Sequence, residues 1–324
     1  MSIAGGTGRP CKVVVNPAAR QGAVGRDLQR LRERLAAHGL DHSVELTRGP
    51  WHAAEIAAAA ARDGFDTVAA AGGDGTCNEV LNGILEAGEP GSRIPALAVL
   101  PIGRGNDFAH GIGTTADLDR AVAALAAGFR RVIDVGRVIG GLFPAGRWFG
   151  NGVGIGFDTL VGLEAARMRR VRGAAAYAVA ALKLLALRPR APRVSVRADG
   201  VEFVRTAALV SLMNGRRMGG AFHMAPAAVA DDGMLDLCLA EETGRLVMLS
   251  LLLRFMRGSQ EASRHVTVAR GQAIEVQALS GVLAAHADGE TICTDGASLR
   301  VECVPARIEV VAPPPPVGAA AVSR

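Results

Sequence analysis

Apolar positions in the first hundred residues follow two alternating rhythms. Short β-branched or Ala/Val runs bounded by turn residues, "CKVVVNP" (11–17), "HSVELT" (42–47), "FDTVAAA" (65–71) and "ALAVLPIG" (96–103), read as strands. Between them the period lengthens. "GRDLQRLRERLAAHG" places Leu28, Leu31 and Leu35 on one helical face and stops at Gly39, while "WHAAEIAAAAARDG" (51–64) and "TCNEVLNGILEAG" (76–88) predict two further helices. Strands joined by helices imply a mostly parallel sheet with helices on both faces. Ligands of such sheets lie at the carboxyl ends of the strands, where every glycine-rich loop of this half falls.

After about residue 140 the rhythm becomes that of alternating strands. "RVSVRADGVEFVRTAALVSLMNG" (193–215) holds two strands around an Asp199-Gly200 turn, and "GMLDLCLAEE", "HVTVARGQAIEVQA" and "SLRVECVPARIEVVA" add more. This predicts an antiparallel β domain with one or two inserted helices, Thr159–Ala186 and roughly Arg245–Arg257. A length of 324 residues exceeds one ordinary core. The expected division is an α/β domain over 1–140, a β-rich domain over 141–312 and a disordered proline-led tail over 313–324.

Composition adds limits. Five scattered cysteines (Cys11, Cys77, Cys238, Cys293, Cys303), with no CxxC and no metal-type spacing, suit buried thiols in a reducing cytoplasm. "MSIAGGTGRPCK" carries no apolar core of a secretory signal, and a cytoplasmic chain is expected. The net charge of +5 is uneven: from Arg167 to Arg190 there are seven Lys/Arg and no acid. Such a run suits an anionic membrane surface. Aromatics, at 4% of the chain, are too few for base-stacking platforms, so no nucleic-acid partner is expected. Apolar runs such as "LVMLSLLL" (246–253) are too short to span a bilayer.

The chemistry gathers in the loops. In "AAGGDGTCNEVLNG" (70–83), Gly72, Gly73 and Gly75 let backbone amides approach a phosphate at a helix start, and Thr76 can cap the helix and donate to the same group. Asp74 is the odd residue, because a carboxylate repels phosphate unless Mg²⁺ intervenes or it accepts a proton. A bare Asp-Gly turn before a capped helix is the plain alternative. "VLPIGRGNDFAHGIG" (99–113) repeats the design with Asn106 and Asp107, and "NPAAR" (16–20) follows the first strand. In "HADGE" (286–290), Asp288 and Glu290 flank a glycine, so both can point from one tight turn, although such a pair is commonly a solvated hairpin.

Taken in order, "VVVNPAAR", "GGDGTCNEVLNGI", "LPIGRGNDFA", "IDVG", "GNGVGIGFDTLV", "LMNGRRMGGAFHMAPAAVADDGMLDL" and "ADGE" resemble the diacylglycerol kinase catalytic-domain family, the bacterial soluble lipid kinases related to sphingosine kinases. The GGDGTxNE element is shared with NAD kinases, whereas the ordered set with DDGxLD and DGE is specific to the lipid kinases. The resemblance covers nearly the whole chain. It implies an NAD-kinase-like α/β domain binding ATP, a β-sandwich-like second domain, and ATP in the cleft between them. Asn16, Pro17 and the loop to Arg20, with Thr47 and Gly73 to Glu79 including Asn78, would cradle the nucleotide together with Gly103, Arg104 and Asn106. Asp74 and Asp107 would organise catalytic Mg²⁺. Glu290, with Asp288 beside it, would be the base for the lipid hydroxyl, and Asp74 is the rival for that role. A structural Mg²⁺ at the DGxL turn would fall on Asp232 and the carbonyls of Val229 and Met234. Asp158 matches a position that contacts lipid headgroups in some relatives.

The chain departs from the family at Arg104, where a small hydroxyl residue is usual, at His110, which replaces a helix arginine, and at "AAR" in the first loop. An arginine can still bind phosphate as a charged fork, though it can also reshape the pocket. Acyl chains would dock on "AAAYAVAALKLLAL" and "LVMLSLLLRFMRG", for which buried core is the alternative. The acid-free run from Arg167 marks the first as the membrane candidate. The resulting expectation is a cytoplasmic, peripherally membrane-associated lipid kinase of phospholipid metabolism, using ATP and Mg²⁺ on diacylglycerol or a similar lipid, with a homodimer left open. The alternatives are an NAD kinase and a non-catalytic nucleotide sensor.

Overall fold

The structure, a computed structural model, describes residues 10–19, 24–88, 93–102, 106–114, 117–168, 174–187 and 189–312. Arg20, Gly103, Arg104 and the tail 313–324 fall outside the described residues. The chain divides into two compact units, Met1–Ile133 with Ile308–Arg324, and Asp134–Arg307.

The first unit carries four parallel strands, β1 (Cys11–Val15), β2 (His42–Leu46), β3 (Thr67–Gly72) and β4 (Ala96–Pro101), in the order β2-β1-β3-β4. Strands β3 and β4 are buried at every position, as a sheet covered on both faces requires. Leu31 and Leu35 of α1 (Val24–Ala37) are fully buried against one face of the sheet, with Leu28 partly so. The Ala-rich α2 (His52–Arg62) buries Ala53, Ile56, Ala57 and Ala60 at helical spacing. It lies close to α3 (Asp74–Ala87): a Cβ on Gly83 would sit 2.2 Å from the Ala54 carbonyl oxygen. Two short helices, α4 (Asp107–Gly111) and α5 (Leu118–Ala127), follow β4.

The second unit is antiparallel. Its strands are β5 (Arg130–Gly140), β6 (Phe143–Phe149), β7 (Gly152–Gly156), β8 (Arg193–Ala198), β9 (Val201–Met213), β10 (Leu235–Glu241), β11 (Val266–Gly271), β12 (Ala273–Ser280), β13 (Leu283–Ala287), β14 (Glu290–Gly296) and β15 (Ser298–Val311). The boundary between units falls within β5 and within β15. Long β9 serves two sheets: Val201–Thr206 pair with β8, and Leu209–Met213 pair with β7 and β10. Inward residues of both sheets, among them Phe149, Ile155, Val196, Leu212, Leu237, Val276 and Val301, form one sandwich core. The β8–β9 hairpin turns at Asp199 and Gly200, both at positive φ, as a two-residue Asp-Gly loop requires.

The helix expected over Thr159–Ala186 is two helices, α6 (Phe157–Arg167) and α7 (Ala174–Leu187). The break comes at Met168, whose extended backbone (φ −78°, ψ 113°) ends α6. Helix α8 (Arg245–Arg257) stops at Gly258 in the left-handed conformation (φ 68°). No helix among the described residues is long and apolar enough to cross a membrane.

Candidate active site

In the first unit, parallel pairing aligns the strand ends. Val15 stands opposite Leu46 and Ala71, and Gly72 opposite Pro101, so the chain leaves all four strands at one edge. Asn16, Thr47, Gly73, Asp74, Asn106 and Asp107 follow these ends and gather there. Asn16 turns its own loop by accepting the Ala18 amide (2.9 Å), leading into Pro17, and donates to Thr76 Oγ1 (3.1 Å). Asp74 opens α3, and its Oδ1 accepts the Phe108 amide at 3.1 Å, tying the two glycine loops together. Asn106 adopts φ 54° and places buried Asp107 at the start of α4.

The glycines divide by role. A Cβ on Gly72 would lie 2.4 Å from Thr76 Oγ1, so this position is fixed by packing. A Cβ on exposed Gly75 would meet nothing within 4 Å, so that face of the first helical turn is open to a ligand. The leading amides of α3 have no partner further up the helix and favour an anion.

Three residues of the motif turn inward. The helix starts at Asp74 with Gly73 as its cap, so Thr76 is a buried first-turn residue and not the cap expected from the sequence. Asn78 is buried, and its Oδ1 accepts from Asn82 Nδ2 (3.2 Å). Glu79 Oε2 accepts the Ala53 amide (3.2 Å) near the start of α2. These side chains shape the scaffold. His110 is exposed in the last turn of α4.

In the second unit, Asp288 and Glu290 do not point together. Asp288 sits at φ 47° in the β13–β14 turn, and its carboxylate accepts the amides of Gly150 (2.7 Å), Asn151 (3.1 Å) and Gly152 (2.9 Å). Those bonds make Asp288 a lock between the turn and the β6–β7 connection, which corrects its expected place beside Glu290. Glu290 instead meets the guanidinium of Arg147, Nε to Oε2 at 3.2 Å and Nη2 to Oε1 at 3.3 Å, and Arg147 lies over the Phe143 ring. Asp158, in the first turn of α6, takes the Thr159 amide on Oδ1 (2.8 Å) and faces His286 Nε2 across 3.3 Å.

The DGxL turn is also tied internally. Asp232 Oδ1 accepts the Met234 amide (3.1 Å), while Oδ2 pairs with Arg270, which also reaches Asp236 at 3.4 Å. Burial pushes the Asp236 carboxyl up, the neighbouring guanidinium only partly opposing it. Buried Asp134 completes the turn, accepting the amides of Gly233 (2.6 Å) and Ala306 (2.7 Å). With its carboxylate so engaged, Asp232 does not fit the expected metal-ligand set with Val229 and Met234; Arg270 supplies the positive charge there. The Asp74 carboxylate is a hard oxygen donor of the kind Mg²⁺ takes, one or two carboxylates with water and phosphate oxygens filling its sphere, and Asp107 lies buried at the start of the neighbouring helix. Among the described residues no group of three or more His, Cys, Asp or Glu offers an all-protein cage.

Sequence reasoning missed Arg147, Asp134, Asn214 and His286. Asn214 donates to the Asp134 and Gly150 carbonyls (both 2.9 Å), supporting the connection that Asp288 holds. The "IDVG", "LMNG" and "HADGE" segments carried the signal for Asp134, Asn214 and His286, whereas Arg147 lies in no motif of its own.

Residues 10–138 match the diacylglycerol kinase catalytic domain, and residues 151–312 match the YegS C-terminal NAD kinase beta sandwich-like domain. A protein of Mycobacterium tuberculosis named "Diacylglycerol kinase" is 32% identical over 306 residues, covering 93% of this chain and 94% of its own. A Stenotrophomonas maltophilia protein named "Probable lipid kinase YegS-like" is 30% identical, covering 85% and 88%. In fold, the chain resembles the crystal structure of a diacylglycerol kinase from Bacillus anthracis (TM-score 0.69, 20% identity, 94% and 97% covered). It also resembles an NAD kinase from Archaeoglobus fulgidus solved with ATP (TM-score 0.51, 18% identity, 93% of each chain covered). The α/β unit followed by an antiparallel sandwich is thus an NAD-kinase-like fold, and the chain belongs to the diacylglycerol kinase family of lipid kinases.

Proposed function

We propose that the chain transfers the γ-phosphate of ATP to a hydroxyl of diacylglycerol or a similar lipid. The observation that carries this reading is the edge of the first unit, where open glycine amides stand beside two carboxylates, Asp74 and Asp107. Phosphoryl transfer depends on positioning and charge neutralisation more than on covalent chemistry. The amides of Gly73 and Gly75, with Asn16 and Thr47, would hold the phosphates. Asp74 and Asp107 would hold Mg²⁺, which when bound neutralises charge on the transferred group.

Glu290 is the proposed base for the lipid hydroxyl. Arg147 orients its carboxylate, and the pair gives a fixed acceptor for the proton. The lipid is expected in the second unit, where a cavity of about 60 Å³ is lined by Leu160, Leu184, Leu185 and Met248 from α6, α7 and α8. Its size supports seating the end of an acyl chain. A lipid substrate would bring the working enzyme to a membrane surface, in the cytoplasm and in phospholipid metabolism.

The test is transfer of labelled γ-phosphate from ATP and Mg²⁺ to a panel of lipid alcohols, with NAD as control acceptor. Labelled lipid from the wild type, lost in Glu290→Gln at saturating Mg²⁺, is the expected result. Asp74→Asn is expected instead to raise the Mg²⁺ requirement. A product formed from NAD alone replaces the lipid-kinase reading with the NAD-kinase one. ATP binding without transfer to any acceptor leaves a nucleotide sensor.

A further inference from the structure

Helix α8 is apolar on two opposite sides. Leu251 and Phe255 are buried in the second unit. Leu246, Leu249, Leu253 and Met256 are all exposed, Leu246 to 85%. At about 100° per residue these four fall within roughly a quarter of the helix circumference, opposite the buried pair. An amphipathic surface helix carries polar residues on that side, so four apolar side chains in one stripe, exposed among the described residues, are more than the chance exposure of one leucine.

The neighbouring helix repeats the feature. On α7, Leu182 and Leu187 are 59% and 65% exposed, while Ala180 and Leu184 are buried. The two helices touch where Arg245, at the start of α8, donates to the Ala186 carbonyl (2.9 Å). Buried core, the ordinary fate of such stretches, is therefore not the fate of these outer faces.

Charge says what covers them. From residue 174 to 193, and again from 243 to 260, the chain has Lys183, Arg188, Arg190, Arg193, Arg245, Arg254 and Arg257 and not one acid. Lys183 is met by Glu164 of α6, and the nearest acids along the chain from α8 are Glu242 and Glu261, outside its ends. Exposed apolar side chains rimmed by cations of one sign match an anionic bilayer, where hydrocarbon enters the interface and the basic groups meet headgroups.

We infer that the outer faces of α7 and α8 are the surface by which this protein docks on an anionic lipid bilayer. The inference extends the lipid-kinase reading, since a substrate held in a bilayer must be reached from its surface, but docking can be measured without turnover.

The experiment is sedimentation of the full chain with phosphatidylcholine vesicles, with and without phosphatidylglycerol. Wild type is expected to bind the anionic vesicles and to release in high salt. The double variant Leu246→Asp/Leu253→Asp and the pair Arg254→Gln/Arg257→Gln should each bind at least about tenfold more weakly, the leucine variant with its unfolding midpoint unchanged. Phosphorylation of a short-chain diacylglycerol in free solution should be retained by the leucine variant. Equal vesicle binding by wild type and both variants overturns the inference, as does failure of the wild type to bind any vesicle. A concentration-dependent dimer abolished by the leucine variant also overturns it, giving the face to a second copy of the chain. Anionic binding lost in the variants, with no lipid phosphorylated by any form, upholds the docking face and removes the kinase reading.

Discussion

Asp74-Gly75 and Asp288-Gly289 are the same two letters in the sequence and opposite devices in the fold. The first pair stands where a parallel strand gives way to a helix, so Gly75 is exposed and Asp74 is engaged only through one oxygen in the bonds described above. The second closes an antiparallel hairpin, and its carboxylate turns back onto three amides of the β6–β7 connection. Asp199 behaves like the second, accepting the amides of Gln272 (2.7 Å) and Ala273 (3.1 Å). An aspartate before glycine is thus the proposed metal ligand at the edge of the parallel sheet and a fastener in the two hairpins. The difference lies in which way the free amides point.

The sharpest way to break this contrast is to remove each charge. Asp74→Asn should raise the Mg²⁺ concentration needed for half-maximal activity by about tenfold or more while leaving the unfolding midpoint unchanged. Asp288→Ala leaves three backbone donors without their acceptor and should cost about 3–6 kcal/mol, read as a lower midpoint in denaturant. Were the two phenotypes exchanged, the assignment of metal ligand and fastener would be reversed.

The glycines make a smaller test. Gly72→Ala forces a Cβ into Thr76 and should cost about 1–3 kcal/mol of stability. Gly75→Ala meets open space, so stability should hold while ATP binding, followed by calorimetry, weakens. Equal effects on both readouts would show that the edge is packing throughout.

Much of this was legible beforehand. The bounds of α8 follow from its apolar run and Gly258, and the strand ends of the first unit follow from β-branched runs stopping at turn residues. What escaped depended on partners distant in sequence. The start of α3 lies two residues before Thr76 because Gly73 serves as the cap, and Asp288 and Glu290 diverge because Gly150–Gly152 and Arg147, more than a hundred positions away, claim one each. In β15, by contrast, Pro305 and Ala306 (φ 49°) interrupt the alternation and its buried positions shift phase from Leu299, Val301 and Cys303 to Ile308 and Val310, so the sequence does mark the region where it joins the first unit at Ile308.

Arg270 offers a subtler comparison with the Asp74 edge. If the guanidinium stands in for a divalent ion at the Asp232 turn, Arg270→Met should lower the unfolding midpoint modestly, because the pairs are partly exposed. Added Mg²⁺ should restore the variant and leave the wild type's turn unaffected. A wild-type protein stabilised by Mg²⁺ even with Asp74 and Asp107 both changed to Asn would return the metal to the turn.

The smallest effect concerns the thiols. Burial pushes Cys11, Cys238 and Cys303 up to about 12 from an ordinary 9.0. Below pH 9 their contribution to stability is fully present. As pH rises from about 9 towards 12 the unfolded thiols ionise first and that contribution is lost. Denaturation midpoints measured across this window should fall, and native protein at pH 8 should resist alkylation until unfolded.

The return of the chain to its first unit has a consequence for the order of synthesis. Val310 pairs with Leu97 on β4, and Val311 packs in the same core as Val13 and Leu100. A ribosome delivers that strand only after the whole of the second unit has been made. Until then the outer edge of β4 offers unpaired backbone groups to any passing strand. A nascent chain stalled before Ile308 would therefore hold every glycine and carboxylate of its phosphate edge on a sheet still missing its last strand, and would be a natural client for chaperones or a seed for aggregation.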